Sequence, residues 1–231
     1  MSARALVLIG GWEGHEPRET FETVKPLLTE VGLECDDHES LAPLTNEESL
    51  KEYSVIVPCW TMDTLPQGAS EALNNAIQHH GVSLAGWHGG MGDAFRSDAQ
   101  YNFIVGGQFV AHPGDIHDYA VDIVQPDHPI TAGLPTSFAV HSEQYYMHVD
   151  PSLNVLASTK VTGKGAPWAN GVTMPVVWTR THGKGRVAYS SLGHNAKDFQ
   201  NEPIRILAAR CILWAAGLIG SETNTPLTAG A

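Results

Sequence analysis

Runs of apolar residues alternate with segments of helical periodicity in the first half of the chain. Two segments carry apolar residues at every third or fourth position and predict amphipathic helices, over residues 21–32 and 64–81. Pro26 lies inside the first of them, so the sequence predicts either a kink there or a different helix start. A more polar strand is predicted at 33–39. Three further runs are mostly apolar, which is typical of strands buried on both faces: 5–11, 54–60 and 82–87.

The second half of the chain is richer in predicted strands. A hairpin joins residues 174–181 to residues 185–192 through the sequence His-Gly-Lys-Gly. A final amphipathic helix is predicted over residues 203–216, and we expect a single domain over residues 1–219. The last residues, 220–231, are small and polar and predict a disordered tail. Three more strands precede the hairpin, at residues 117–125, 137–147 and 153–159.

Buried strands joined by helices predict an α/β fold with a mostly parallel, doubly wound sheet flanked by helices, followed by the β-rich second half. Such an architecture resembles the flavodoxin-like and class I glutamine amidotransferase-like folds. Ligands of such sheets bind outside the carboxyl ends of the strands. The rule selects three turns, at residues 12–15, 58–60 and 87–92, which we expect to meet on one rim of the sheet.

Composition and charge narrow the range of partners. The chain has 231 residues, 42% of them hydrophobic, and a net charge of −12, so it can bury a core but offers no basic surface for nucleic acid or anionic membranes. Three cysteines without a C-x-x-C pair fit a reducing compartment. The apolar run at the start is too short for a signal peptide, so a cytoplasmic location is expected. A homo-oligomer stays possible.

Twelve histidines make imidazole the most prominent chemical group of this sequence. Residues 86–90, Gly-Trp-His-Gly-Gly, follow a predicted strand and resemble a nucleophile elbow, in which glycines relieve crowding around one exposed residue. That residue is His88, so an acyl-enzyme route through serine or cysteine is closed at this position. The alternative is a glycine-rich turn whose histidine is satisfied by backbone groups.

A late strand ending in Leu-Gly-His-Asn carries His194 to a comparable place. In the class I glutamine amidotransferase fold, a cysteine occupies the elbow and its partner histidine follows a late strand in the motif F-H-P-E. Residues 58–60, Pro-Cys-Trp, lie where that fold forms its oxyanion loop. With His88 in place of the cysteine and no Pro-Glu after His194, we expect no glutaminase activity.

Five motifs occur in chain order: W-H-G-G at 87–90, G-G-x-F-x-x-H-P at 106–113, H-P-I-T-x-G-L at 128–134, E-x-Y-Y at 143–146 and G-R-V-x-Y-x-x-L-G-H at 185–194. Together they resemble the ThuA-like, or trehalose-utilisation, family over residues 4–217. The resemblance implies the amidotransferase-like fold without its catalytic cysteine. It also implies a link to bacterial breakdown of disaccharides, including 3-keto-glycosides made by partner dehydrogenases.

Cleavage of such a substrate needs a base, an acid and an electrophile near the ketone. His88, Glu143 and His194 are the predicted catalytic residues. Glu143 lies in an apolar and aromatic segment, and we expect burial to raise its pKa into the range useful for a base. The alternative is a buried structural glutamate paired with Arg96 or Arg186.

Other residues near the predicted rim are candidates for binding. His15, His88 and His194 are candidate ligands of a divalent metal such as zinc. Without a metal, the imidazoles would hydrogen-bond sugar hydroxyls, and the tryptophans either stack on the sugar or belong to the core. The predicted substrate-binding residues are Trp12, His15, Trp60, Trp87, His112 and Tyr145.

The sequence therefore predicts an enzyme that acts on a keto-disaccharide or related glycoside by histidine and glutamate acid–base chemistry, with or without a metal. The expected partner is a small sugar, and no nucleotide cofactor is expected. The main alternative is a non-catalytic sugar-binding or regulatory protein on the same fold.

Overall fold

The computed structural model describes residues 2–220, so most of the predicted tail lies outside the described residues. The helices are α1 Pro17–Glu30, α2 Glu47–Leu50, α3 Ala69–His80, α4 His88–Gly92, α5 Ala99–Val105 and α6 Glu202–Ala215. The strands are β1 Arg4–Gly11, β2 Glu34–His38, β3 Val55–Thr61, β4 Ser83–Trp87, β5 Gly107–Ala111, β6 Ile116–Ile123, β7 Ser137–Glu143, β8 Tyr146–Val149, β9 Asn154–Lys160, β10 Thr173–His182 and β11 Gly185–Ser190.

Nine strands form one mixed sheet in the order β2-β1-β3-β4-β11-β10-β9-β6-β7. The pairings from β2 to β11 are parallel, and those from β11 to β7 are antiparallel. The predicted fold class is confirmed, with parallel strands from the first half of the sequence on one side and the β-rich second half on the other. Strands β5 and β8 form a separate two-stranded sheet.

Helices cover both faces of the parallel part, as its continuous apolar strands require. Alternate residues of β1 enter different cores: Val7 packs with residues of α1 and α6, whereas Leu6 packs with residues of α3 and α5. Both side chains are fully buried. No helix within residues 2–220 is long and apolar enough to cross a membrane.

The structure changes several predicted boundaries. Helix α1 begins at Pro17, earlier than predicted. Proline is favourable there because the N–H groups of the first helical turn have no hydrogen-bond partner within the helix. The helix continues through Pro26. Helix α3 begins only after Gly68, whose φ of 82° is outside the helical region, so residues 64–66 are not helical. The strand predicted over residues 137–147 is two strands, β7 and β8, which belong to different sheets.

The topology decides where a site can form. Strands β1, β3, β4 and β11 lie side by side and run in parallel, so their carboxyl ends share one edge of the sheet. The segments that follow β1, β4 and β11 contain His15, His88 and His194 respectively. The fold thus brings three distant histidines to one edge.

Candidate functional site

The turn that follows β4 holds His88 in a strained conformation. Its φ of 45° lies in the left-handed region, which a residue with a Cβ adopts at a cost of about 1–3 kcal/mol. The hydroxyl of Tyr189 donates a hydrogen bond of 2.9 Å to the His88 carbonyl. Neighbouring glycines permit the close packing, since a Cβ on Gly90 would lie 3.2 Å from the Cα of Cys59. The elbow-like turn predicted at residues 86–90 is therefore present.

A backbone carbonyl sets the orientation of the His88 imidazole. Nδ1 lies 2.9 Å from the oxygen of Ser191, which can only accept, so Nδ1 carries a proton and donates it. The neutral ring then presents the lone pair of Nε2 to the site. His88 is 1% exposed, and burial lowers its pKa, although Glu143 opposes that shift.

Glu143 joins His88 to His194. Its Oε2 atom lies 3.2 Å from His88 Nε2 and 3.3 Å from His194 Nδ1, and the two nitrogens are 3.4 Å apart. The predicted catalytic residues His88, Glu143 and His194 are thus in mutual contact. The alternative arginine pairing of Glu143 is wrong, because Arg96 pairs with Asp93 and Arg186 donates to the carbonyl of Trp214.

The expected rise in the Glu143 pKa is also wrong. Burial does raise the pKa of this carboxyl, but the neighbouring imidazoles of His194 and His88 together lower it more, and it ends well below its usual range. Conversely, burial lowers the pKa of His194, but the hydrogen bond and charge of Glu143 raise it above its ordinary value. Glu143 is therefore a stable anion that favours a positive charge beside it.

His15 completes a group of four. Its Nδ1 lies 2.9 Å from the hydroxyl of Thr61, and its ring meets those of His88 and His194 edge-on at 4.8 and 5.1 Å between centroids. Burial, reinforced by the neighbouring imidazoles, lowers the His15 pKa to about 3. One potential ligand atom from each of His15, His88, Glu143 and His194 lies within 4.8 Å of the others. We name these four residues the imidazole–carboxylate cluster.

A cleft of about 130 Å³ opens above the cluster. Its lining includes five of the predicted residues: Trp12, His15, His112, Glu143 and Tyr145. Four further residues line it that were not predicted to do so: Met62, Asp93, Arg96 and Phe109. Aromatic rings and charged groups thus share the walls, as in sites that bind polar small molecules with apolar faces.

Two wall residues are held by the cluster itself. Tyr145 packs against His88 with ring centroids 4.0 Å apart and planes inclined by 30°. His112 places Nε2 3.7 Å from the second carboxylate oxygen of Glu143, and its ring stacks on Phe109. Arg96 and Asp93 form an ion pair in the cleft wall. Nε and Nη2 of Arg96 donate hydrogen bonds of 2.8 and 2.5 Å to the two carboxylate oxygens of Asp93, which fixes the guanidinium in the cleft.

Two of the predicted binding residues lie elsewhere. Trp87 is 3% exposed and packs edge-on against Phe199 in the core. Trp60 lies over Gly10 and donates to the carboxylate of Asp63. Neither lines the cleft. Consecutive residues of an extended chain point to opposite sides, and the residues that follow these tryptophans, Thr61 at the end of β3 and His88 at the start of α4, face the cluster.

Cys59 is buried beneath the turn. Burial raises the pKa of its thiol, so it is an unreactive core residue. Among the residues that the sequence did not select, Asp93 and Arg96 have a local signal, since opposite charges three positions apart on a turn after a strand often pair. Ser191 and Thr61 each contact one histidine of the cluster through a single hydrogen bond, and no pattern in the neighbouring sequence predicts these contacts.

Comparison with known proteins agrees with this architecture. A family model described as ThuA, trehalose utilisation, matches residues 4–215. No curated protein matches the chain.

Solved structures match the fold at low sequence identity. A ThuA-like protein from Bacteroides uniformis has a TM-score of 0.76 at 21% identity, covering 97% of this chain and 94% of that one. Another from Parabacteroides merdae has a TM-score of 0.74 at 16% identity, covering 94% and 90%. The glutaminase domain of a Trypanosoma brucei CTPS has a TM-score of 0.53 at 11% identity, covering 94% of each chain. These neighbours support the predicted amidotransferase-like fold.

Proposed function

Because the chain belongs to the ThuA, or trehalose-utilisation, family, which indicates a role in sugar metabolism, we propose that it is an enzyme that cleaves a keto-disaccharide or related keto-glycoside. One observation carries the proposal: three imidazoles and one carboxylate lie together at the carboxyl edge of the sheet, and two of the four, His15 and Glu143, line an aromatic cleft. That edge is where α/β sheets of this kind bind their ligands.

The cleft dimensions favour one end of a small sugar. About 130 Å³ is less than the roughly 300–1,000 Å³ of sites that enclose a drug-sized ligand, so the second ring of a disaccharide would project into solvent. Trp12 stands at this mouth with 47% of its surface exposed, and its indole offers a flat apolar face to a sugar ring. Arg96, fixed by Asp93, supplies hydrogen-bond donors for hydroxyl groups.

A ketone at C3 makes the proton on C2 acidic. Removal of that proton and loss of the oxygen on C1 form a C1–C2 double bond, and addition of water across it completes a net hydrolysis. The developing negative charge lies on the ketone oxygen. In this proposal His194, protonated beside the Glu143 carboxylate that lines the cleft, is the positive charge that stabilises this oxygen, with His88 fixed next to it.

Glu143 and His15 are both poor bases for removing the C2 proton. The pKa of each is lowered, that of Glu143 by its neighbouring imidazoles and that of His15 by burial. We assign the proton transfer to His112, which stands in the cleft wall with part of its ring open to solvent and Nε2 3.7 Å from Glu143. His112 takes the proton from C2 and returns it to the leaving oxygen. Glu143 contacts both His112 and His194 and positions them for these roles.

The test uses a 3-keto-disaccharide and the parent disaccharide that lacks the ketone. We expect release of monosaccharide from the keto compound alone, and a loss of about 10²–10⁴-fold in kcat for H112N. His80→Asn is the control, since His80 lies at the end of α3 and pairs with Glu47.

Equal cleavage of both sugars would exclude the elimination, because without the ketone the C2 proton is not acidic. Tight binding of the keto-disaccharide without any release would reject the enzyme and support the sugar-binding alternative.

A further inference from the structure

We propose that His88, His194 and Glu143 bind one divalent first-row transition metal ion of the zinc class, through Nε2, Nδ1 and Oε2 respectively. This goes beyond the proposed function, which uses only the protein's own acids and bases. It also revises the predicted ligand set, in which His15 took the place that the structure gives to Glu143.

The three atoms form a nearly equilateral triangle. Its edges are 3.2, 3.3 and 3.4 Å. Zinc binds imidazole nitrogen and carboxylate oxygen at about 2.0–2.2 Å, and in a tetrahedron with bonds of that length two ligand atoms lie ~3.3–3.5 Å apart. The side chains therefore already have the separation that a shared tetrahedral ion imposes.

All three atoms of the triangle can offer a lone pair to a cation. The Ser191 carbonyl accepts a hydrogen bond from Nδ1 of His88, so the neutral ring has its lone pair on Nε2, which points at Glu143 Oε2. The three atoms converge on one point, and one cation there would contact all three at once.

The surroundings also suit a metal. A ligand histidine that donates its other N–H group to a backbone carbonyl has its tautomer and orientation fixed, as Ser191 does for His88. The side chains of His88 and Glu143 are 2% and 11% exposed, so the charge of the carboxylate is little screened by water. Two histidines and one glutamate form a ligand set of catalytic zinc sites, which keep a further position open.

The open position would face the cleft beside His15. Because His15 uses Nδ1 toward Thr61, its Nε2 stays available next to that position without belonging to the triangle. An ion bound at His194 Nδ1 would displace the proton from that atom, so it would take over from the protonated His194 the role of polarising the ketone oxygen, and it would lower the pKa of a bound water. Only this catalytic role depends on the proposed function; the binding itself does not.

The experiment titrates Zn²⁺ into the full-length, untagged protein after dialysis against a chelator, with calorimetry and no sugar present. We expect one ion per chain. Loss of a residue that only hydrogen-bonds to a metal ligand weakens metal binding by about 10–100-fold. E143Q and H194N remove ligands themselves, so each should weaken Zn²⁺ binding by more than that. H15N should keep the stoichiometry of one, and H80N should match the wild type.

A second measurement needs no variant. Co²⁺ added to the metal-free protein should give the intense visible absorption of a tetrahedral or five-coordinate site, and Zn²⁺ should abolish it by competition. Absence of that band, or Zn²⁺ binding that is equal in the wild type, E143Q and H194N, would overturn the inference. Either result can occur whether or not the protein cleaves keto-disaccharides, so the two proposals fail separately.

Discussion

The hydroxyl of Tyr189 is expected to hold the strained turn at His88, and Tyr189→Phe tests this. The substitution removes the 2.9 Å hydrogen bond and leaves the buried His88 carbonyl without that donor. Such a loss costs about 1–2 kcal/mol of unfolding free energy. For a chain of this size the melting temperature should fall by about 2–8 °C.

A matched control is a second tyrosine that donates to the same short helix, α4. Tyr101 is also buried and donates a 3.0 Å hydrogen bond to the carbonyl of Met91, three residues beyond His88. Y101F should therefore cost a similar unfolding free energy while leaving the His88 backbone in place. Only Y189F should let His88 relax from its φ of 45° and move its imidazole away from Glu143.

The assay combines urea denaturation with turnover of a 3-keto-disaccharide. We expect both variants to be destabilised, but kcat to fall about tenfold or more only in Y189F, which corresponds to ~1.4 kcal/mol of transition-state free energy. Imidazole ¹⁵N NMR of the metal-free protein gives a readout that does not depend on activity, because the proton on Nδ1 of His88 should lose its fixed position in Y189F alone. Equal changes in both variants would refute the positioning role of Tyr189.

Three further predictions concern other parts of the structure. W12A should raise KM with little change in stability, since Trp12 is 47% exposed, whereas W87A should cost about 3–5 kcal/mol of unfolding free energy, a difference that urea denaturation measures. A Cβ on Gly89 would lie 2.6 Å from His15 Nδ1, so G89A should displace that ring and lower activity, which a crystal structure of the variant would check. Burial lowers the pKa of His182 in the folded state, whereas the unfolded chain binds this proton near pH 6.5. As the pH falls below that value, the unfolded state is protonated first, so the folded state loses stability. The stabilisation of the wild type over H182N should accordingly be smaller at pH 5 than at pH 7.5 in urea unfolding, and a constant difference would contradict the argument.

The meeting of the three histidines could be predicted from the sequence. His15, His88 and His194 each follow an apolar strand, and the rule for parallel sheets sends the ends of such strands to one edge. The rule needs only the order of strands and helices, which the hydrophobic pattern shows clearly. For this reason the location of the cleft follows from local signals.

Glu143 could be placed only in part. Its apolar neighbours predict burial correctly, but it ends β7, the last strand of the sheet, and no local pattern brings that end to the histidines. The direction of its pKa shift depends on two imidazoles within 3.3 Å, which outweigh the cost of burial. A sequence shows the apolar environment of a carboxyl but not its distant partners.

The wrong assignment of Trp60 and Trp87 has a simpler cause. Residues next to each other in a strand face opposite sides, so a tryptophan directly before a site residue points away from the site. The rule for parallel sheets predicts that the turns at residues 58–60 and 87–92 lie at the site as whole segments, without regard to this alternation. The alternation is present in the sequence and would have pointed both tryptophans away from the cluster.

The position of β11 has a consequence for synthesis of the protein. This strand lies between β4 and β10, although residues 88–184 separate it from β4 along the chain. While the ribosome is still making that long stretch, β4 has one unpaired edge and His194 does not yet exist. The imidazole–carboxylate cluster can therefore be completed only after residues 185–194 have been made and β11 has been added between β4 and β10.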